Sequence, residues 1–225
     1  VLDMGLGVSG VIGDRAFHNH PEVIAELAHS FMQGMQQAGM AATGKHFPGH
    51  GCVREDSHIA QPVDTRPLED IMLQDMLPFE RMMHFGMAAV MPAHVVYSAV
   101  DDKPAGYSSI WLQQILRKQL NFQGVIFSDD LSMQAAGVAG DFADRAHAAL
   151  QAGCDMVLVC NHTPAAQQVL ESLEDYLNPV SQMRLIRMHG RGKIDRQQLM
   201  ASEPWRSVVD KIKQLGDSPN LELDV

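Results

Sequence analysis

The sequence contains no uninterrupted apolar run long enough to cross a bilayer. Positive charge is scarce. Only 17 Lys and Arg stand against 27 Asp and Glu, a formal net charge of -10. That balance argues against nucleic acid or an anionic membrane as the main partner. Cysteine is scarcer still. Cys52, Cys154 and Cys160 are odd in number and lack zinc-site spacing, so free thiols in a reducing cytosol are expected. No glycine fingerprint for phosphate follows a strand, because the glycines from Gly5 to Gly13 have the wrong spacing. Nothing reads as a signal peptide, and a cytoplasmic location is expected. The initiator methionine is also missing. The chain opens Val1-Leu2-Asp3-Met4-Gly5 as if in mid-strand, and a C-terminal piece of a longer protein is expected.

What is present is an alternation of strands and helices. The chain has 225 residues, 46% hydrophobic and 20% charged, enough for one globular domain with a sizeable core. Residues 1–4 read as a strand, followed by a glycine-loosened loop that holds Arg15. Pro21 suits a helix start, Ile24, Leu27, Ala28, Phe31 and Met35 recur at helical spacing, and Gly39 stops the helix. A strand near 41–45 follows. Pro67 opens a second helix that Pro78 should kink or break. Apolar runs at 87–91, 124–127 and 155–160 read as further strands. Between them lie a helix capped by Ser108 or Ser109 and another over about 141–150. Residues 164–215 read as helices, with breaks near Pro179, Gly190 to Gly192 and Pro204.

The strand runs are apolar throughout, as in parallel strands buried on both faces, so the expected fold is a parallel α/β sheet. Polar residues collect where these strands end: Asp3, Lys45-His46, His94, Asp129-Asp130 and Asn161-His162. Parallel α/β folds build their sites at that edge. An open five-stranded sheet is one solution. A barrel lacking its first three strands fits the abrupt start better.

Lys45-His46-Phe47-Pro48-Gly49-His50-Gly51, followed by Asp56-Ser57-His58, organises the rest. It concentrates a cation, imidazoles and a carboxylate in a loop that glycine and proline keep irregular. His58 with Asp56 suits proton transfer, since imidazole titrates near neutral pH; the alternative is a solvated loop. Asp129 suits a carboxylate nucleophile; the alternative is a helix N-cap. Two adjacent aspartates cannot both point into one site, so either Asp129 or Asp130 is expected to cap. Lys45 and His46 suit hydrogen bonding to a polar substrate such as a sugar, or a structural ion pair. Arg15 suits the same role, or plain solvation. His94 reads best as a core histidine. His46, His50, Asp56 and His58 also admit a zinc or manganese site, against which the Lys45 cation argues.

Taken together, these motifs resemble family 3 glycoside hydrolases, in particular the bacterial cytosolic β-N-acetylhexosaminidases of peptidoglycan recycling. The resemblance rests on Gly13 to Phe17, Thr43 to Gly51 with Asp56-Ser57-His58, Met91 to His94, Gly124 to Met133 and Ala152 to Met156. It implies a (β/α)8 TIM barrel, with about five of the eight strand-helix units present and the N-terminal third lacking. One catalytic barrel domain over residues 1–215 and a flexible acidic tail over 216–225 are expected. The resemblance also implies a retaining mechanism with a glycosyl-enzyme intermediate. Asp129 is then the nucleophile, preferred over Asp130 because the family's aspartate directly follows the Ser or Thr that ends the strand. His58 becomes the acid/base, Asp56 its partner, and Arg15, Lys45 and His46 the groups that hold a terminal N-acetylglucosamine. Most retaining enzymes use two carboxylates about 5–5.5 Å apart; here a histidine on a loop would take the second role. The implied substrate is a muropeptide carrying N-acetylglucosamine on 1,6-anhydro-muramic acid. The implied protein is a monomer without metal or cofactor. Ala16 replaces the family's usual Ser, a minor departure. Without the upstream strands the barrel would have open edges, and impaired folding and activity are expected of this chain alone.

Overall fold

Four short runs pair in the same direction. β1 (Thr43–Phe47), β3 (Ala89–Pro92), β5 (Val125–Asp130) and β6 (Met156–Leu158) form one parallel sheet in that order. Two short strands, β2 (Val63–Asp64) and β4 (Val96–Tyr97), pair separately. The computed structural model describes residues 1–192 and 195–216. Contacts divide the chain into two compact units, Val1–Gly190 and a second beginning at Arg191.

Strand order in the main sheet follows chain order without reversal. A doubly wound sheet reverses at a switch point; an arc of a barrel does not. The fold is therefore a partial (β/α)8 barrel. The first expected strand differs. Residues 1–4 run beside β1, and the Leu2 N–H donates to the Lys45 carbonyl at 2.7 Å. The next donor on β1, the His46 N–H, bonds to the Asp3 side chain rather than to its backbone, so no ladder forms.

Helices cover the sheet. α1 (Pro21–Gln37) starts at Pro21 and buries Ile24, Ala25, Ala28 and Met32. Leu27 and Phe31, expected in that stripe, are exposed; the buried ridge runs through every fourth residue instead. α2 (Leu68–Leu73) and α3 (Met76–His84) are the second expected helix, broken ahead of Pro78. Pro78 has no N–H for the Gln74 carbonyl four residues back, and the break falls there. The helix Ile110–Gln119 begins after Ser108, whose hydroxyl accepts from the Trp111 N–H at 3.2 Å. α4 (Phe142–Ala152) begins with a reciprocal capping box between Asp141 and Asp144. α5 (Thr163–Ser172) is capped by His162, whose Nδ1 accepts from the Ala165 N–H. α6 (Pro179–Leu185) is capped by Asn178.

In the second unit, α7 (Arg196–Ala201) is capped by Asp195, and α8 (Glu203–Gly216) follows. The break expected near Pro204 falls at Ser202, between α7 and α8, and Pro204 sits in the first turn of α8, where a missing N–H is tolerated. The acidic stretch from 217 onward lies outside the described residues. Among the described residues no helix is long and apolar enough to cross a membrane.

The core reaches the organising loop through aromatic rings. Phe47, at the end of β1, meets Phe79 at 5.4 Å and Trp111 at 6.0 Å, both edge-on. Tyr97 packs on Trp111 at 5.1 Å, and its hydroxyl donates to the Gly49 carbonyl at 2.8 Å. Each such pair contributes on the order of 1 kcal/mol beyond area burial. At its two glycines the loop after β1 then has no room for a side chain. A Cβ at Gly49 would meet the Asp75 Cβ at 2.6 Å, and one at Gly51 would run into the Met4 carbonyl.

At the other end of the sheet, Asp155 is a buried hub. Its carboxylate accepts from Arg117 Nη2 at 2.7 Å, Arg184 Nη1 at 3.0 Å, the Ser181 hydroxyl at 2.7 Å and the Ile126 N–H at 2.9 Å. Asp155→Ala would strand two guanidinium groups, and a loss of about 3 kcal/mol is expected. Urea unfolding of the variant checks this, and an unchanged midpoint would contradict the hub's role.

Candidate active site

The ends of β1 and β5 and two loops converge on a pocket of about 110 Å³ lined by Val11, Arg15, Lys45, His46, His50, Ser57, His58, Asp129 and Met133. Five of the six residues singled out in the sequence are among them. The sixth, Asp56, lies behind His58. Its Oδ1 accepts from the His58 ring Nδ1 at 2.7 Å and from the His58 N–H at 2.8 Å. These bonds set the ring's orientation with Nδ1 as the protonated nitrogen. The His58 N–H lowers the Asp56 carboxyl below its ordinary value; burial opposes this, and the His58 ring adds to the lowering. The pair is open to solvent, with side chains 58% and 39% exposed.

The two adjacent aspartates part company. Asp130 accepts from the Ser132 N–H at 2.9 Å, the Ser132 hydroxyl at 2.6 Å and the Cys160 N–H at 2.9 Å. Burial would raise its carboxyl, but these donors prevail and hold it below the usual range. Asp130 thus ties the end of β5 to the end of β6. Among the described residues the Asp129 side chain accepts only from the N–H of Asp130, and Asp129 lines the pocket.

Sequence reasoning placed Asp3 at a polar strand end but gave it no role in the site. It sits at the expected strand end and is 1% exposed. Its carboxylate accepts from the His46 ring Nδ1 at 2.9 Å, the His46 N–H and the His50 N–H at 2.7 Å. The His46 ring is thereby fixed, with Nδ1 spent on Asp3. Burial pushes the Asp3 carboxyl up, but the His46 charge and hydrogen bonds outweigh it and the net direction is down. The peptides Lys45-His46 and Phe47-Pro48 are cis at this point.

Lys45 makes no ion pair among the described residues, so a structural pair does not account for it. Arg15 Nη1 donates to the Val11 carbonyl at 3.1 Å, which holds it at the rim. His94 is a core histidine, 1% exposed, with Nε2 donating to the Asp130 carbonyl at 3.2 Å. Among the described residues no group of three or more His, Cys, Asp or Glu is placed to hold a metal ion. His46 is committed to Asp3, and both His50 ring nitrogens face serine hydroxyls. The four residues that admitted a metal reading are thus not arranged as ligands. Two larger cavities, of about 410 and 370 Å³, contain no acid or histidine in their walls.

Parallel strands in unbroken chain order, with a cation-rich and histidine-rich pocket at their C-terminal edge, define an α/β barrel of the enzyme type. The chain belongs to glycosyl hydrolase family 3, whose N-terminal domain matches residues 1–188. A beta-hexosaminidase of Thioalkalivibrio sulfidiphilus is 61% identical over 225 residues, 100% of this chain and 65% of that protein. One from Methylococcus capsulatus is 52% identical over 219 residues, 97% of this chain and 66% of that protein. The crystal structure of NagZ from Neisseria gonorrhoeae with N-trifluoroacetyl-D-glucosamine superposes with a TM-score of 0.86. It is 43% identical, over 95% of this chain and 62% of that one. The chain therefore spans about two thirds of the length of the relatives it matches.

Asp3 carries a pH signature. A carboxyl held low in the folded state stabilises above its unfolded value, about 3.9, and that stability is lost as pH falls through the folded value. Asp3→Asn should lower stability at pH 7 and flatten the acid limb below about pH 4. Urea midpoints across pH would show this, and parallel acid limbs would contradict it.

Proposed function

We propose that the protein is a retaining β-N-acetylglucosaminidase that removes terminal, non-reducing N-acetylglucosamine from muropeptides. The observation that carries this reading is the shared pocket of Asp129 and His58, with Arg15, Lys45 and His46 around it. Asp129 attacks the anomeric carbon, and the bond to the leaving oxygen breaks as His58 gives that oxygen a proton. Water then adds to the anomeric carbon, His58 takes its proton, and Asp129 is released. Asp56 holds the His58 ring and stabilises its charge once it is protonated. Lys45, His46 and Arg15 bind sugar hydroxyls and spend that binding at the reacting carbon. Asp3 keeps His46 in place.

The names of the relatives support a hexosaminidase. The neighbour with bound N-trifluoroacetyl-D-glucosamine supports a sugar of this shape. The anhydromuropeptide substrate, the place in peptidoglycan recycling, a cytoplasmic location, a monomeric state and action without metal or cofactor belong to the same proposal. So does a longer protein whose upstream strands complete the barrel. One domain over 1–215 remains part of it.

The test is release of 4-nitrophenol from its N-acetyl-β-D-glucosaminide, by the chain and by the extended reading frame. Asp129→Ala should abolish turnover, and His58→Ala should lower it by about 10²–10⁴-fold. Turnover that survives Asp129→Ala would overturn the reading. Activity confined to the extended frame would mark the upstream strands as necessary.

A further inference from the structure

His50 has no part in the chemistry proposed above, yet it is tied through its backbone N–H and both ring nitrogens. It is 1% exposed. Its N–H is fixed by Asp3 at 2.7 Å. Its ring Nε2 lies 3.2 Å from the Ser57 hydroxyl and its Nδ1 3.4 Å from the Ser9 hydroxyl. Both hydroxyls belong to buried serines, 2% and 4% exposed. Burial first, and then the neighbouring His46, lower the His50 imidazole below its ordinary value. A neutral ring has one donor and one acceptor nitrogen, and a serine hydroxyl can meet either.

These two serines sit on different loops. Ser9 accepts the Gly13 N–H through its carbonyl at 3.1 Å and so begins the turn that carries Arg15. Ser57 immediately precedes His58. The Ser57 carbonyl accepts from the Ala135 N–H at 3.1 Å, and the His58 carbonyl from the Gln134 N–H at 3.3 Å. The His58 loop is thus docked on the segment that follows Asp129. Ser57 to His50 is the side-chain tether beside His58, and Gln61 Nε2 holds the far end of the loop to the His94 carbonyl at 3.1 Å.

Resting on the function proposed above, we propose that His50 is a positioning residue. Through Ser57 and Ser9 it fixes the His58 loop and the Arg15 loop to the end of β1. Its effect on catalysis is to hold the acid at the distance at which it can protonate the leaving oxygen. A displacement of about 1 Å at such a group costs up to about 10²-fold.

The contribution separates from general structural support by its dependence on the leaving group. A phenyl leaving group needs the proton from His58; 2,4-dinitrophenyl leaves without it. Ser57→Ala and His50→Asn are compared with the parent in the form of the protein that turns over the nitrophenyl substrate. Each variant should lose at least about tenfold more in kcat/KM on the phenyl glycoside than on the dinitrophenyl one, with the loss in kcat rather than KM. His50→Asn keeps a donor and an acceptor and should lose less than His50→Ala. Hydrogen exchange reads the same tether without activity. The Gln134 and Ala135 amides, which report loop docking, should exchange faster in Ser57→Ala, while those of β5 do not change.

Equal losses on the two glycosides, or unchanged exchange at Gln134 and Ala135, would overturn the proposal. His58→Ala with no leaving-group dependence would instead sink the acid/base reading. Faster exchange in Ser57→Ala would then still stand for the tether.

Discussion

A single buried carboxylate holds the site together. Asp3 receives three N–H groups from the five residues His46 to His50, where the β1 register shifts and the strand gives way to an irregular loop. The shift in register at His46 and the loop after Phe47 leave donors without ladder partners, and these need an acceptor from elsewhere. Asp3 supplies it from 43 residues upstream. A buried donor without a partner costs about 1–3 kcal/mol, and more than one donor depends on this group. The same carboxylate selects the tautomer of His46 and anchors the backbone of His50. From there the order passes to Ser57, Ser9 and the two loops they belong to. The aromatic stack below, Phe47, Phe79, Trp111 and Tyr97, gives the loop a rigid floor.

The second organising feature is the division of labour at the end of β5. Asp130 is saturated with donors and joins two strands. That frees Asp129 from any structural duty. Asp129 keeps one carboxylate oxygen uncommitted among the described residues, as the nucleophile role proposed for it requires. His58 is in the opposite situation from His46. It is exposed, on a loop, and oriented by a carboxylate two residues away, so its proton can exchange with solvent and with a leaving group.

Much of this was legible in the chain, and the reasons are local. Apolar strand runs, the Pro21 start and the polar strand ends are short-range signals, and the parallel sheet and its reactive edge follow from them. Asp56 and His58 are two residues apart, so their pairing could be read directly. The choice between Asp129 and Asp130 was harder. It turns on Ser132 and Cys160, and the Cys160 contact crosses 30 residues. Residues 1–4 read as a strand by composition, yet tertiary hydrogen bonding by Asp3 took the place of the ladder. Leu27 and Phe31 have helical spacing but lie off the ridge that α1 buries. Asp3 and His50 were placed at the polar edge by the sequence, but their roles could not be read from spacing, since their partners are brought together only by the fold.

The most direct measurement is to trap the sugar on the enzyme. A slow fluorinated N-acetylglucosaminyl fluoride should accumulate as a covalent ester, and peptide mass mapping locates it. The expected result is one sugar on Asp129, with Asp130 unmodified. Label on Asp130, or turnover of the fluoride with no adduct on either aspartate, would contradict the separation of roles on which the site is built.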